Sequence, residues 1–495
     1  MLLLGIDIGT SSIKASVVDS ETKQVVASAQ YPDTENTISS PQPDWAEQEP
    51  ETWWEHTKQA VKRVNTSGKY NPKDIISIGI SYQMHGLVMV DKAQKVLRPS
   101  IIWCDSRAVE IGKKAFQEIG EDACLSYLLN SPGNFTASKL AWVKENEPDI
   151  YNQCHKVMLP GDFIGMRFSD KVTTTNSALS EGIFWDFKSN ALSEDIFDYY
   201  GFSQRLIPKI QPVFSNHGEI TDAVANDLGL KAGIPVAYKA GDQPNNALSL
   251  NVLNPGEIAA TAGTSGVVYA VSDKVSYDEK SRINSFAHVN HRMNGENRIG
   301  ILLCINGTGI LNRWVKENIT NGLDYHEMNE AAAKIPVGSD GLSVLPFGNG
   351  AERILQNKQV GASIQHLNFN VHTKNHIVRA AQEGIAFSLK YGFDMMLDNG
   401  VTPKVIRAGK ANMFLSNTFS EALVNATQTP VELYDTDGAK GAALAGGFGA
   451  GQYNSIEETM NGLTLLQTIE PQKDTFDAYS AAYETWTESL NRAIK

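Results

Sequence analysis

Cysteine is scarce in this chain. Its 495 residues hold four, Cys104, Cys124, Cys154 and Cys304, and no two form a Cys-x-x-Cys pair. That removes a paired-thiol motif from the reading and predicts free thiols in a reducing compartment. Long Lys/Arg runs are also missing, and the net charge is −13. Nucleic acid and anionic membrane surfaces are therefore excluded as main partners. A nucleotide is not, because local groups and a bound cation override the net field. No stretch approaches the roughly 20 apolar residues of a membrane span. The opening Met1-Leu2-Leu3-Leu4 meets Gly5 and Asp7 at once and has no basic leader. It reads as a first strand rather than a signal peptide, and the expected location is the cytoplasm. Low-complexity linkers are absent too, which predicts packed lobes with a cleft.

What is present is ordinary in bulk and specific in detail. With 42% hydrophobic and 20% charged residues, the chain is long enough for two domains with sizeable cores. Two short loops look like copies of each other. In the first, Leu4-Gly5-Ile6-Asp7-Ile8 runs into Gly9-Thr10-Ser11-Ser12 and out through Ile13-Lys14-Ala15. In the second, Thr261-Ala262 runs into Gly263-Thr264-Ser265-Gly266 and out through Val267-Val268-Tyr269. Glycine lets the backbone approach an anion closely, and the turn N–H groups and hydroxyls can donate to phosphate oxygens. Each half repeats one grammar: strands at 2–8, 12–19, 24–30 and 75–81, then at 257–262, 266–271, 285–289, 301–304 and 405–408. Helical periodicity covers 376–396, and 438–449 reads as a tightly packed helix of small residues.

Two acids accompany the loops. Asp242, in Ala240-Gly241-Asp242-Gln243-Pro244, sits where an apolar strand breaks, and can take a proton from a substrate hydroxyl. Its bland alternative is an Asx-turn or helix cap. Asp7 reads as an acid holding Mg²⁺ beside the transferring phosphate, or as a turn residue. Thr10, Ser11 and Lys14 are then phosphate contacts. Gln83-Met84-His85-Gly86 ends a buried-looking strand in a polar tip suited to a polyol, or in a satisfied histidine at a strand end. Trp103-Cys104-Asp105-Ser106-Arg107 is a Trp-capped, Asp/Arg-lined pocket wall or a buried aromatic beside a surface ion pair. Asn306-Gly307-Thr308-Gly309 touches phosphate or caps a helix. Gly409-Lys410-Ala411-Asn412 lines an adenine pocket or forms a plain strand-to-helix turn. The glycines of 438–447 predict a close helix contact first and a nucleotide neighbour second.

The segments 5–12, 44–54, 83–86, 97–107, 241–246 and 261–266, with weaker matches at 345–353 and 438–445, resemble the FGGY carbohydrate kinases in one consistent order. The resemblance implies an α/β chain with the two-lobed actin-like ATPase (ribonuclease H-like) fold and an active-site cleft between the lobes. It implies a sugar-binding lobe at 1–243 and a nucleotide-binding lobe at 244–495. ATP and Mg²⁺ are the implied cofactors. The implied reaction is phosphorylation of a ketopentose, D-xylulose before other polyols, with Asp242 as base and Asp7 as the metal-associated acid. Met84 and His85 are implied at the sugar, and Gln83, Trp103, Asp105 and Asn245 are further candidates around it. Thr264 and Ser265 are implied at phosphate and Gly409 at adenosine, with Gly263 and Gly307 further candidates at phosphate and Lys410 and Asn412 at the nucleotide. The family's three glycines at the adenosine motif are here Ala408-Gly409-Lys410. A non-catalytic actin-like ATP-binding scaffold is the rival from another class. It needs the hairpins but neither Asp242 nor the polar tip. Assembly is left between monomer and homodimer.

Overall fold

Strand β1 (Leu2–Ile8) is buried along its length except at Asp7, the pattern of a strand covered on both faces. The computed structural model describes all 495 residues. In it β1 pairs antiparallel with β2 (Ile13–Asp19), and β2 antiparallel with β3 (Val25–Tyr31). On the other side β4 (Ile75–Tyr82) runs parallel to β1, and β5 (Val236–Gly241) parallel to β4. The sheet order is β5-β4-β1-β2-β3. Because β1, β4 and β5 are parallel, their carboxyl ends share one edge, where α/β proteins collect their functional residues. Asp7, the Gln83–Gly86 turn and Asp242 all fall there.

A helix of small residues, Gly438–Gly449, lies across this sheet. The approach is too close for any side chain at the crossing. A Cβ on Gly5 would stand 1.8 Å from the Ala439 carbonyl oxygen, and one on Gly79 1.8 Å from that of Ala442. The opposite face is covered by the helix Pro50–Asn65, whose Trp53 and Trp54 are buried.

A second sheet repeats the order. Its strands are β6 (Glu257–Ala262), β7 (Gly266–Ser272), β8 (Asn284–Ala287), β9 (Ile299–Ile305), β10 (Val405–Gly409), β11 (Val431–Tyr434) and β12 (Leu465–Ile469). They lie in the order β8-β9-β7-β6-β10-β11-β12. Strands β6 and β7 form the antiparallel hairpin, and β6, β10 and β11 are parallel. The run β9-β7-β6-β10-β11 is thus β3-β2-β1-β4-β5 again. The long helix Lys374–Asp398 packs beneath, buried at most positions. No helix is long and apolar enough to cross a membrane.

The chain divides into two compact units. One comprises Met1–Asn251, Phe286–Ile299 and Thr436–Leu463, the other Val252–Ser285, Gly300–Asp435 and Thr464–Lys495. The division expected at 243 and 244 is a single cut, whereas these units exchange segments. The reason is visible in the first unit: its sheet takes its covering helix from residues 438–449.

Candidate active site

Asp242 opens the helix Asp242–Ser249 directly after β5. Burial raises its carboxyl to about 7, with the Asp7 charge as the second cause and the Gln243 N–H opposing both. Asp242 and Asp7 are both half-buried as residues, and the field around carboxyl groups set this deep in protein is strong. Asp7 is also pushed above the ordinary carboxylate range, by burial and then by Asp437, with Lys14 opposing. Its Oδ2 would lie 2.5 Å from a Cβ on Gly438, so glycine is what lets the acid sit at the start of that helix. Three acids, Asp242, Asp7 and Asp437, thereby give one edge of the sheet a local excess of negative charge.

The first hairpin is closed by Gly9 N–H donating to the Ser12 carbonyl at 3.0 Å. Ser11 is exposed at its tip. Lys14, on the returning strand, bridges Asp437 at 2.5 Å with both side chains about one-third exposed. Thr10 is fixed from two sides: Trp103 Nε1 donates to its hydroxyl at 2.9 Å, and the hydroxyl donates to Gln83 Oε1 at 3.1 Å. Gln83 Nε2 donates in turn to Gln48 Oε1 at 3.1 Å, which also accepts from Trp53. Gln83 therefore spends its amide on tying the hairpin to the end of β4. Trp103 remains half-exposed.

Met84 and His85 form the polar tip. His85 adopts φ 62°, the left-handed region that non-glycine residues seldom occupy. Its Nδ1–H donates to the Glu181 carbonyl at 3.0 Å, and its ring meets Phe135 and Phe286. Buried Lys139 supports the turn from below, donating to the carbonyls of His85 at 2.9 Å and Ile102 at 3.0 Å. Burial lowers that ammonium to about 7.

Asp105 is fully buried and its oxygens are taken. They accept from Arg107 Nε and Nη2, from the Arg107 N–H and from the Ala46 N–H. Arg107 also bridges Glu47 at 2.7 Å and lies over Trp45. The structure thus inverts the plainer expectation of a buried aromatic beside a surface ion pair: the ion pair is buried and Trp103 is exposed above it, because Arg107 and Ala46 saturate Asp105 inside the protein. Asn245 is fully buried, donating from Nδ2 to the Gly438 carbonyl at 2.9 Å, while its Oδ1 has no partner.

In the second unit Gly263, Thr264 and Asn412 line a cavity of about 280 Å³ together with Ile310, Tyr325 and Met413. The hairpin's carbonyls accept from the helix that follows β9: Gly309 N–H to Gly263 at 2.9 Å and Ile310 N–H to Thr264 at 3.2 Å. Ser265 stands beside Cys304. Gly307 packs on the Pro346 carbonyl, where a Cβ would come within 1.7 Å. Its loop is held by the Glu352 carboxylate, which accepts from Asn306 N–H at 3.0 Å. Gly409 ends β10 and Lys410 donates its N–H to Tyr434 at 3.1 Å. Neither they nor Gly307 line the cavity.

A model of the N-terminal domain of the FGGY family of carbohydrate kinases matches residues 2–249, and one of its C-terminal domain matches 258–450. The chain belongs to that family. It is an ATP-dependent carbohydrate kinase with the actin-like ATPase fold, built from two ribonuclease H-like sheets. Among relatives, the xylulose kinase of Bacillus subtilis is 27% identical over 512 residues, covering 100% of this chain and 98% of the relative. The crystal structure of xylulose kinase from Rhodospirillum rubrum has TM-score 0.87 at 23% identity, covering 99% of each chain. Plasmodium falciparum glycerol kinase with ADP has TM-score 0.89 at 20% identity, covering 100% of this chain and 98% of that one. The fold is thus shared by kinases named for different acceptors and does not itself choose the sugar.

Glu181 escaped the sequence reading. It closes the short helix Asn176–Glu181, is 2% exposed, and neither of its carboxylate oxygens has a hydrogen-bond partner. The available signal was a single acid in the apolar run Ala178-Leu179-Ser180-Glu181-Gly182-Ile183-Phe184-Trp185.

Proposed function

We propose that this kinase transfers the γ-phosphoryl group of ATP to a hydroxyl of D-xylulose, giving D-xylulose 5-phosphate. The observation that carries the chemistry is Asp242 at the end of β5, poised at about 7 beside the Met84–His85 tip. A general base works best when its pKa lies near the operating pH. The choice of D-xylulose is supported by relatives of that name over the whole chain and by the residues of the tip. Asp242 accepts the hydroxyl proton as the oxygen attacks phosphorus. Met84 lies against sugar carbon, and His85, fixed by its Nδ1 bond, orients hydroxyls. The N–H groups and hydroxyls of 9–12 and 263–265 hold phosphate oxygens, so that positioning and charge stabilisation supply most of the rate. The cavity beside Gly263, Thr264 and Asn412 takes the nucleoside.

The residues present fit Mg²⁺. No group of three His, Cys, Asp or Glu side chains gathers here, and none is required, because Mg²⁺ commonly takes one or two carboxylates plus substrate phosphates. Asp7 is the side chain for it, and the surplus charge of Asp242, Asp7 and Asp437 is what a divalent cation offsets. When bound it neutralises charge on the transferring group. The test is ADP release with MgATP and a sugar panel, on the parent and Asp242→Ala. Turnover with D-xylulose that falls about 10²–10⁴-fold in the variant is expected. Turnover only with gluconate, ribulose or glycerol replaces the substrate and keeps the mechanism. Equal turnover by Asp242→Ala removes the base.

A further inference from the structure

Glu181 is buried within the first unit, and neither of its carboxylate oxygens completes a hydrogen bond. A Cβ placed on Gly241 would stand 2.9 Å from Glu181 Oε2 and 2.6 Å from Met84 Cγ. The carboxylate therefore borders the residue that precedes the base, Gly241, against which Met84 of the polar tip also packs. Its main-chain carbonyl simultaneously holds His85 Nδ1 at 3.0 Å. One residue thus holds His85 of the tip directly and shares Gly241 as a neighbour with Met84.

Its surroundings are wrong for a structural acid. No Lys or Arg makes a salt bridge to it, although Lys139 is near enough for their charges to interact. Lys139 instead spends its protons on the carbonyls of His85 and Ile102. The Tyr82 hydroxyl and the His85 N–H lie beside the carboxylate and favour its charge, but neither completes a hydrogen bond to it. Asp242 and Asp162 add like charge. Compare the other buried acids of this unit. Asp162 bridges Lys239 at 2.7 Å, and Asp105 is saturated by Arg107 and Ala46. A buried carboxyl group with unmet lone pairs is costly, and such groups persist where a ligand completes them.

We propose that Glu181 is a specificity-determining residue for the acceptor, its carboxyl group hydrogen-bonding a sugar hydroxyl other than the one phosphorylated. The chemistry selects the ligand class. A polyol offers several O–H donors on neighbouring carbons. When one hydroxyl lies on Asp242, an adjacent one comes within reach of a group bordering Gly241. This inference rests on the sugar-kinase reading of the same site.

Glu181→Gln keeps size and shape while replacing one acceptor oxygen with a donor, and Glu181→Ala removes the group. With the full-length protein, KM for the sugar is expected to rise about 10- to 100-fold in Glu181→Gln, with KM for ATP unchanged. Deoxy analogues of the accepted sugar, each lacking one hydroxyl, supply the decisive comparison. For one analogue the parent and Glu181→Gln should bind equally, because the hydroxyl that Glu181 contacts is already gone. Sugar binding followed by tryptophan fluorescence without nucleotide gives a readout apart from turnover. An unchanged sugar KM in Glu181→Gln overturns the proposal, as does an equal penalty against every analogue. A parent enzyme that phosphorylates no sugar would overturn the functional reading itself. One that prefers another polyol leaves this test intact with that polyol.

Discussion

The two sheets share a strand order and a Gly-Thr-Ser hairpin in the same place, yet only the first has an acid two residues before the hairpin's glycine. In the first unit the residue two before Gly9 is Asp7 on β1, and β5, two places across, is followed at once by Asp242, as its counterpart β11 is by Asp435. In the second unit the residue two before Gly263 is Thr261 on β6, half-buried and uncharged. Its hairpin adjoins an apolar-walled cavity instead, lined by Ile310, Tyr325 and Met413. One scaffold has therefore been put to two uses. On the proposed reading the turn supplies phosphate donors in both copies, because that property belongs to the backbone, and the acid two residues before the glycine serves the cation in one copy alone.

The comparison breaks most visibly at those matching positions. Asp7→Asn is expected to lower kcat about 10²-fold, on the order of one catalytic electrostatic contact, and to raise the Mg²⁺ concentration needed for half-maximal rate. Thr261→Ala, at the corresponding place in the second unit, should stay within about 2-fold. Steady-state rates at varied Mg²⁺ decide it. Equal losses at both positions would mean that the acid on β1 adds nothing beyond the scaffold.

Much of this was legible in the sequence for a definite physical reason. Strands such as Leu2–Ile8 and Ile75–Tyr82 are buried on both faces, so they read as continuous apolar runs. The hairpins were legible because glycine and hydroxyls recur at fixed offsets from those runs. The small-residue helix was legible for the same kind of reason, since Gly5 and Gly79 leave room only for backbone. What the sequence could not show was how polar side chains divide their bonds. Asp105 looks like a pocket acid, but Arg107 two residues on and Ala46, 59 residues earlier, saturate it. Gln83 looks like a sugar ligand, but Gln48 and Thr10 share its amide. Glu181 went unread because its meaning is the lack of a partner, which only packing reveals. The exchange of segments between units also left no local mark, because a helix of small residues does not state which sheet it will cover.

The acid pair gives a second contrast, in pH. Asp242 must be ionised to accept a proton, and burial with Asp7 nearby holds it at about 7. With sugar below KM, the rate should fall about tenfold per pH unit on the acid side of 7. The pair titrates jointly, so the midpoint belongs to both acids. Saturating Mg²⁺ favours the ionised form and should move the midpoint downward. A profile flat from pH 5 to 8 would exclude a carboxylate poised near neutrality as the base.

The smallest effect concerns stability and separates electrostatics from packing. In the unfolded chain the Asp242 carboxyl titrates near the ordinary 3.8, and in the folded chain at about 7. The folded state therefore binds this proton more tightly. The stability it confers is complete below pH 3.8 and is lost as pH rises through 7. Asp242→Asn has no such proton to lose. Its Tm relative to the parent should thus increase between pH 5 and pH 8, by on the order of 2 °C for a protein of this size. Any change in packing from the amide is the same at both pH values and cancels in the difference. Thr261→Ala, where no charge is removed, should show no pH-dependent difference at all. Thermal melts of the three proteins without nucleotide or Mg²⁺ would check this. A constant offset for Asp242→Asn would mean that the acid pair places no strain on the folded state.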